Sequence, residues 1–270
     1  MLISSKSNEK IKFIKNLNEK KYRILNNAYY LEGLKVVYEV LNKYKKEYVL
    51  YLVYSKELVQ KIKDENNYFE KILDFCNKNK IEIIETSSDI FAYITDTITP
   101  QGIMCVLKKE EKNLEKELTN NKDKSIFILD NVQDMGNLGT IIRNASAFDI
   151  KNIICLDGTA DSYSPKVLRS TMGNILNVNI FYENFEKIYE ILKNNNFKII
   201  GTSIYDSKSL NEFEFKGKMA FIFGNESNGI KKEILEKCDE KIRIDMSRNT
   251  ESLNVSVASG IIGYLSFNNK

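Results

Sequence analysis

Three loops rich in glycine and asparagine carry the residues whose types and spacing could do chemistry. The first, 130–140, contains Gly136 and Gly139 and precedes an amphipathic helix. A helix start offers free N–H groups and a positive dipole end that suit an anion. Arg143, just over one turn inside, could present a planar charged fork to a phosphate. An ordinary strand-to-helix turn is an equal alternative, because the spacing is Gly-x-x-Gly and not GxGxxG.

The second loop, 223–232, resembles a phosphate-binding loop only at first sight. It has the order strand, Gly-x-x-x-x-Gly, helix, but Ile230 follows the second glycine where a lysine is needed. No serine or threonine stands where magnesium would require one, which argues against nucleotide hydrolysis. Glu226 is a carboxylate inside this turn. It could act in catalysis or simply accept local N–H groups.

The third loop, 244–260, is polar and leads into a helix of small residues that permits close helix packing. Ser252 could be the helix N-cap and Asn254 a first-turn donor. A further segment, 164–174, has the proline and glycine placement of a short helix. Its Lys166 and Arg169 are three residues apart and face one way, so they could grip a nucleic-acid backbone or be ordinary exposed charges.

Composition limits the chemistry, because the 270 residues include no histidine. This excludes Ser-His-Asp and Cys-His mechanisms, HExxH metalloenzymes and a histidine general base. The formal net charge is only +3, yet residues 1–23 carry seven basic residues against two acidic ones. Such a face could meet phosphate, although a solvated helix face is the favoured reading on charge alone. The candidates for phosphate contact in this segment are Lys12, Lys20, Lys21 and Arg23.

The cysteines and the apolar runs indicate the compartment. Cys76, Cys105, Cys155 and Cys238 form no CxxC pair and, without histidine, no usual zinc set, so we expect reduced thiols and no metal. No signal-peptide core or membrane-length apolar run is present. We therefore expect a cytoplasmic protein without a membrane partner.

The periodicity predicts two α/β parts. In the first part, helices are expected near 8–26 (broken once), 32–44 and 68–79 and after Ser87 or Ser88, with strands at 28–31, 49–53, 81–84 and 103–107. In the second part, strands are expected at 126–129, 153–156, 198–202, 219–223 and 241–244, and helices near 138, 164, 183, 229 and 252. Residues 108–124, rich in charge and poor in apolar residues, predict a linker. The apolar strands predict a parallel sheet covered on both faces, with ligands beyond its carboxyl ends, in the loops after 129, 202, 223 and 244.

Taken together, the loops resemble a known family. NLGTIIRNA (137–145), FIFGNESNGI (221–230) and SLNVSVASG (252–260) are similar to the three motifs of the SpoU/TrmH branch of the SPOUT RNA methyltransferases, and KVLRSTMGN (166–174) fits as well. LEGLKVVYEVL (31–41) and TPQGIMCVL (99–107) resemble the ribosomal-protein-like RNA-binding domain of the longer members. The resemblance thus implies a small α/β RNA-binding domain at 1–107, a linker at 108–124, and an α/β trefoil-knot domain with a parallel sheet at 125–270.

The resemblance also implies an activity. The expected reaction is 2′-O-methylation of a ribose in structured RNA with S-adenosylmethionine as donor, carried out by a homodimer. The positions that match family cofactor contacts are Thr202, Gly224, Ile244, Met246, Leu253 and Asn254. The positions that match the catalytic set are Asn137, Arg143, Glu226, Ser252 and Asn254. Large-subunit (23S) ribosomal RNA is the favoured substrate. Transfer RNA, methylation of a base and a non-enzymatic RNA-binding role stay open.

Two positions depart from the family pattern. Met135 stands where the first motif usually has proline, and Asp245 where the third usually has proline after the isoleucine. Both positions stiffen loops, so these departures affect loop geometry more than chemistry. Asp245 also adds a negative charge that could lie near a cationic sulfonium.

Overall fold

The computed structural model describes residues 2–120, 125–247, 249–250 and 252–269. The elements of the first half of the chain are β1 (Leu2–Ile3), α1 (Glu9–Asn16), α2 (Lys20–Asn26), β2 (Ala28–Glu32), α3 (Leu34–Lys43), β3 (Val49–Tyr54), α4 (Lys56–Val59), α5 (Tyr68–Asn79), β4 (Glu82–Thr86), α6 (Ser88–Ile94), β5 (Ile103–Lys108) and α7 (Leu114–Asn120). Those of the second half are β6 (Ser125–Leu129), α8 (Met135–Ala147), β7 (Asn152–Cys155), α9 (Pro165–Thr171), β8 (Asn179–Tyr182), α10 (Phe185–Asn194), β9 (Phe197–Thr202), β10 (Lys208–Ser209), β11 (Lys218–Phe223), α11 (Lys232–Leu235), β12 (Glu240–Arg243) and α12 (Val255–Asn268).

The chain divides into two compact units. Unit 1 comprises residues 1–111 and 163–176, and unit 2 comprises residues 112–162 and 177–270. In the segment 108–124, for which the sequence predicts a linker, α7 buries Leu114 and Leu118 in the core of unit 2. Residues 121–124 lie outside the described residues. Among the residues that the structure describes, no helix is long and apolar enough to cross a membrane.

Unit 1 is built on a five-stranded sheet in the order β1-β4-β3-β5-β2, with β5 antiparallel to both of its neighbours. The apolar side of α1 (Ile11 and Ile14) and that of α6 (Ile90, Phe91 and Ile94) are buried against it. The break expected once within 8–26 is confirmed between α1 and α2. The expected cap is also confirmed, because Ser87 Oγ accepts from the Ile90 N–H at 3.4 Å.

Unit 2 is built on a seven-stranded sheet in the order β10-β12-β9-β11-β6-β7-β8, and every pair of neighbours is parallel. The predicted parallel sheet is thus confirmed. Strands β6, β7 and β11 are buried along nearly their whole length, as sheets covered on both faces require. The sequence missed β8 and β10, since the first is four residues long and the second only two.

The sheet order explains which loops meet. Strands β12, β9, β11 and β6 are consecutive neighbours, and all run in one direction. Their carboxyl ends therefore lie side by side at one edge, where parallel α/β sheets bind ligands. These are the strands that precede the loops expected to carry ligands.

Three predicted helix starts are wrong by about three residues. Helix α8 begins at Met135 rather than near Leu138, because Asp134 caps it. The last helix begins at Val255, with Asn254 as its N-cap, so Ser252 is not the cap. The short helix α11 begins at Lys232 rather than near Gly229, because residues 225–229 close into a tight turn.

Candidate active site

The loop after β6 ends in a capped helix start. Asp134 is the N-cap of α8, and its Oδ1 accepts from the Asn137 N–H at 2.7 Å. Met135 is therefore the first residue of the helix, a position where proline is favoured because its fixed φ suits the first turn. This bond fixes the backbone of Asn137 at the carboxyl edge of the sheet.

The turn after β11 closes on itself through Asn225 and Gly229. Their backbones exchange hydrogen bonds of 3.0 and 2.9 Å, and Gly229 has φ +67°. A Cβ at Gly224 would lie 2.1 Å from the Gly229 carbonyl carbon, so glycine is required there by close backbone approach. Asn225 Oδ1 accepts from the N–H groups of the next turn residues, Ser227 at 3.0 Å and Asn228 at 3.2 Å.

Buried polar groups tie this turn to the loop after β6. Asp130 is fully buried, and its Oδ2 accepts from the Lys231 N–H at 2.8 Å. Asn225 Nδ2 donates to the Asn131 carbonyl at 2.9 Å. The two loops are thereby held in one arrangement, and Glu226 is carried towards α8.

The three motifs meet in one hydrogen-bond network. Asn254 Nδ2 donates to Asn137 Oδ1 at 2.9 Å, and Asn137 Nδ2 donates to Glu226 Oε1 at 2.9 Å. Asn254 Oδ1 accepts from the N–H of Ser256, at 2.8 Å, and from its hydroxyl, at 2.6 Å. Glu226 and Asn254 are exposed, and Asn137 is half-buried. The structure thus brings three of the five predicted catalytic positions into contact at an accessible surface.

Arg143 lies outside this network. Its side chain is exposed, and it makes no hydrogen bond or ion pair with any residue that the structure describes. Six residues separate it from Asn137 along α8, which places it about a third of a turn away from that side chain. Glu226 does not anchor this arginine, because its carboxylate bonds to Asn137 and Asn225.

A cavity of about 950 Å³ lies at the same edge of the sheet. All the predicted cofactor positions line it: Thr202, Gly224, Ile244, Met246, Leu253 and Asn254. Glu226 and Ser252 line it as well, whereas Asn137 and Arg143 do not. Its volume suits a ligand of nucleoside size.

The residues present fit S-adenosylmethionine in chemical terms. The walls include apolar side chains that could take a base, among them Ile230, Ile242 and Ile262. Two carboxylates, those of Glu226 and Asp245, line the cavity and suit a ligand that carries positive charge. Thr202 Oγ1 is already engaged by the Ile222 carbonyl at 2.9 Å, so any contact from Thr202 is better supplied by its backbone.

The basic candidates for RNA contact all belong to unit 1, and most are on its surface. Lys12, Lys20 and Lys21 are exposed, as are Lys166 and Arg169 on α9. Arg169 Nη2 lies 3.1 Å from Asp96 Oδ2 in an exposed ion pair.

Arg23 is a correction to this set. It is only 7% exposed, and its Nη1 donates to the Leu17 carbonyl at 2.6 Å. Its guanidinium stabilises the connection between α1 and α2 and is not on a surface that RNA could reach. Local charge counting missed this because Arg23 lies on the buried side of a short helix.

Two lysines of the basic N-terminal segment and two residues of the cavity wall were not among the predicted site residues. Lys6 and Lys15 both lie over the Tyr93 ring, with Nζ 4.8 and 5.0 Å from its centroid. Ile204 and Tyr205 line the cavity. The only available signal for the last two was their position directly after a strand of the parallel sheet.

The fold and the cavity define an α/β protein that binds a ligand at the carboxyl ends of a parallel sheet. Residues 124–264 match the SpoU rRNA Methylase family, and residues 8–105 match the MRM3-like substrate binding domain. The chain therefore belongs to the SpoU rRNA methylase family.

Known relatives agree along most of the chain. It is 32% identical over 264 residues to the 23S rRNA (guanosine(2553)-2'-O)-methyltransferase RlmP of Bacillus subtilis (strain 168), with 97% of each chain covered. It is 30% identical over 203 residues to the 23S rRNA (guanosine-2'-O-)-methyltransferase RlmB of Acinetobacter baylyi, covering 72% of this chain and 82% of the relative. The crystal structure of an AdoMet-bound rRNA methyltransferase from Sinorhizobium meliloti has the same fold, with a TM-score of 0.87 at 24% identity and coverage of 99% and 97%.

Proposed function

We propose that this protein methylates the 2′-hydroxyl of a guanosine ribose in 23S ribosomal RNA, with S-adenosylmethionine as donor. The observation that carries the proposal is the network from Asn254 through Asn137 to Glu226 beside the 950 Å³ cavity. Family membership supports the reaction. The names of the two relatives support the guanosine and the ribosomal RNA.

The chemistry asks for alignment more than for acid catalysis. When bound, S-adenosylmethionine supplies a methyl group on a cationic sulfur that leaves as a neutral thioether. Holding the attacking oxygen in line with that methyl group is equivalent to an effective molarity of roughly 10⁵–10⁸ M. Residues of the cavity wall, Gly224, Ile244 and Leu253, would hold the donor, and Asn137 and Asn254 would hold the ribose and the loops around it.

The hydroxyl proton needs an acceptor other than histidine. A guanidinium keeps its charge in proteins, so an arginine is a poor proton acceptor at neutral pH. We therefore assign Arg143 to the phosphate next to the target ribose, where its exposed guanidinium orients the hydroxyl. The proton then passes to that phosphate or to water. Glu226 orients Asn137, and Ser252 lines the cavity near the ribose.

The two parts of the chain would divide the work. We propose residues 1–107 as the RNA-binding part, 108–124 as the connection and 125–270 as the knotted methyltransferase part, although residues 163–176 pack with unit 1. Exposed Lys12, Lys20 and Lys21 suit phosphate without reading sequence. The exposed pair Lys166 and Arg169 is assigned the same role.

We further propose that two copies pair in the cytoplasm. The family resemblance supports pairing, and so does α12, which leaves Val257, Tyr264 and Phe267 between 45% and 55% exposed. Apolar side chains in such a row suit a second copy of the same face. Light scattering on the purified protein should give twice 31.3 kDa, and Phe267→Asp should give the single-chain mass. A wild-type protein of single-chain mass would overturn the pairing.

The activity is tested with purified protein, labelled S-adenosylmethionine, and 23S ribosomal RNA or transfer RNA. We expect label in 23S RNA and, after nuclease digestion, recovery of 2′-O-methylguanosine. Label in transfer RNA instead would identify transfer RNA as the substrate. Recovery of a methylated base would show that the enzyme methylates a base and not a ribose. RNA binding without any cofactor binding would favour the non-enzymatic alternative. Mapping of ribose methylation in RNA from a deletion strain then locates the nucleotide.

A further inference from the structure

We name the segment 203–209 the clamped loop. Every second residue from Lys241 to Asp245, in β12 and just after it, contacts this loop through its side chain. Lys241 Nζ lies 3.1 Å from Asp206 Oδ2, and Arg243 Nη1 donates to the Ser207 carbonyl. Asp245 Oδ2 accepts from the Ser209 hydroxyl. Alternate residues of an extended chain point to one side, so these three side chains act as a single row of polar contacts.

Asp245 is the end of this row and is held from several directions. Its Oδ2 also accepts from Asn211 Nδ2 at 3.3 Å, and its Oδ1 lies 3.2 Å from Arg243 Nε. The neighbours of Asp245 in sequence, Ile244 and Met246, both line the cavity. The carboxylate therefore connects the clamped loop to the segment 244–246, and both contribute to the cavity wall. A proline at this position would restrict only its own backbone and would make no such connection.

The clamped loop contributes two large apolar or aromatic residues to the cavity lining. Ser203 Oγ accepts from the Tyr205 N–H at 3.1 Å and donates to the Tyr205 carbonyl at 3.0 Å, which fixes a local turn. Ile204 and Tyr205 line the cavity, yet they are 45% and 77% exposed. The Tyr205 ring packs on no other aromatic ring of the described residues. A rigid loop that holds an unpaired aromatic ring at a cavity is suited to an aromatic ligand.

We propose that Tyr205 stacks on the adenine of bound S-adenosylmethionine, and that Lys241, Arg243 and Asp245 are positioning residues for that contact. This inference rests on the proposed function. The adenine is favoured over the target base because the clamped loop runs from Thr202 to the segment beside Ile244, both of which line the same cavity. Aromatic stacking is tolerant of base identity, since every base has a π-face.

The test is calorimetric titration with S-adenosylhomocysteine and no RNA. Tyr205→Ala should weaken binding about 5- to 150-fold, the range for loss of one base–aromatic stack, and Tyr205→Phe should retain affinity. The loss should be the same for 5′-methylthioadenosine, which keeps the adenine and lacks the amino-acid part. Glu214→Ala is the matched control. Its exposed carboxylate pairs with Lys216, and both residues lie in the segment between the clamped loop and β11.

The positioning role is tested by a double-mutant cycle. Asp245→Ala should weaken S-adenosylhomocysteine binding in the wild-type background and have little further effect in Tyr205→Ala, because it acts through that ring. Additive losses would overturn the positioning role. Unchanged affinity in Tyr205→Ala would overturn the stacking, and if the KM for RNA alone rose, the ring would belong to the RNA surface. Failure of the wild-type protein to bind S-adenosylhomocysteine would instead overturn the proposed function.

Discussion

Asn254 donates from Nδ2 to Oδ1 of Asn137 at 2.9 Å, a contact between side chains 117 positions apart in sequence. It joins the cap of α12 to the first turn of α8, and Asn137 passes the connection on to Glu226. Each amide uses its donor for a neighbour and its oxygen for an incoming N–H. The network therefore sets the orientation of both amides and brings three loops into one site.

The first prediction concerns this network. Asn137→Ala should lower the rate of methyl transfer at least tenfold and leave S-adenosylhomocysteine affinity within about twofold, because Asn137 does not line the cavity. Asn254→Ala should cost less in the Asn137→Ala background than in wild type, with a coupling of about 0.5–3 kcal/mol in activation free energy. Single-turnover kinetics measure both. Asn42→Ala is the control, because this amide donates to the Tyr38 carbonyl one turn away on its own helix. Strict additivity would mean that the bond has no part in the rate.

The second prediction separates Arg143 from cofactor binding. Arg143→Ala should abolish methyl transfer while cofactor binding survives, because the exposed guanidinium makes no hydrogen bond or ion pair with the described residues of the cavity wall. Arg143→Lys should recover part of the activity, since it keeps the charge and loses the planar fork. Calorimetry and a tritium-transfer assay read the two properties independently. Equal loss of binding and transfer would show that the assignment of Arg143 to the RNA phosphate is wrong.

Local patterns predicted most of the fold and only part of this site. The helix Tyr68–Asn79 matches the prediction at both ends, because its apolar periodicity is strong. The parallel sheet followed from apolar strands that alternate with helices, and the sheet order then brought the expected loops together. The contact of Asn137 with Asn254 could not be derived this way, since no local pattern encodes a pairing across the sheet edge. For Asn137 the resemblance supplied the position, and the structure supplied the partners.

The failures have physical reasons of the same kind. Burial of Arg23 depends on the path of the chain between α1 and α2, which charge counting cannot show. The start of α12 depends on which of several polar residues caps it, and Asn254 takes that place rather than Ser252. Tyr205 follows a strand without any motif, so only its position in the cavity wall identifies it.

The third prediction concerns the turn after β11. Gly224→Ala should destabilise the protein by about 1–3 kcal/mol and weaken cofactor binding, because the new Cβ would lie 2.1 Å from backbone that cannot move away. Urea unfolding and calorimetry give the two values. Gly217→Asn is the control, since Gly217 has φ +75° with no atom within 4 Å of a built Cβ, and asparagine tolerates such backbone angles. Normal binding by Gly224→Ala would show that the turn can open without harm.

The fourth prediction concerns RNA affinity. Lys12→Ala, Lys20→Ala and Lys21→Ala should each weaken RNA binding by a similar factor for any sequence. Each should also lower the slope of log K against log salt by about 0.7–0.9, as expected for one lost phosphate contact. Filter binding at several salt concentrations measures this. Lys63→Ala is the control in the same unit, because it removes an exposed lysine that lies outside the proposed surface.

Arg23→Ala provides a contrast within the same segment. Because its guanidinium is buried, its removal should lower the free energy of unfolding, and the salt slope of the remaining folded protein should not change. A reduced salt slope with an unchanged free energy of unfolding would show that Arg23 contacts RNA after all. An unchanged salt slope in all three lysine variants would show that Lys12, Lys20 and Lys21 do not contact RNA phosphates.

The last prediction concerns the thiols of the four cysteines, all of which the structure describes outside any disulfide. Burial raises the pKa of Cys76 to about 12 and that of Cys238 to about 12, from an ordinary value of 9.0, and it raises the pKa of Cys105 as well. A raised pKa keeps the thiol protonated, so at pH 8 the thiolate fraction of the first two falls from about one in ten to about one in ten thousand. Reaction with a disulfide reagent should therefore be about a thousandfold slower for these thiols in the native protein than in denaturant. Because these thiol pKa values are higher in the folded state than in the unfolded state, the native state loses stability as pH rises from 9 towards 12. Unfolding exposes thiols that ionise more readily. Rapid reaction of Cys76 in the folded protein at pH 8 would contradict this.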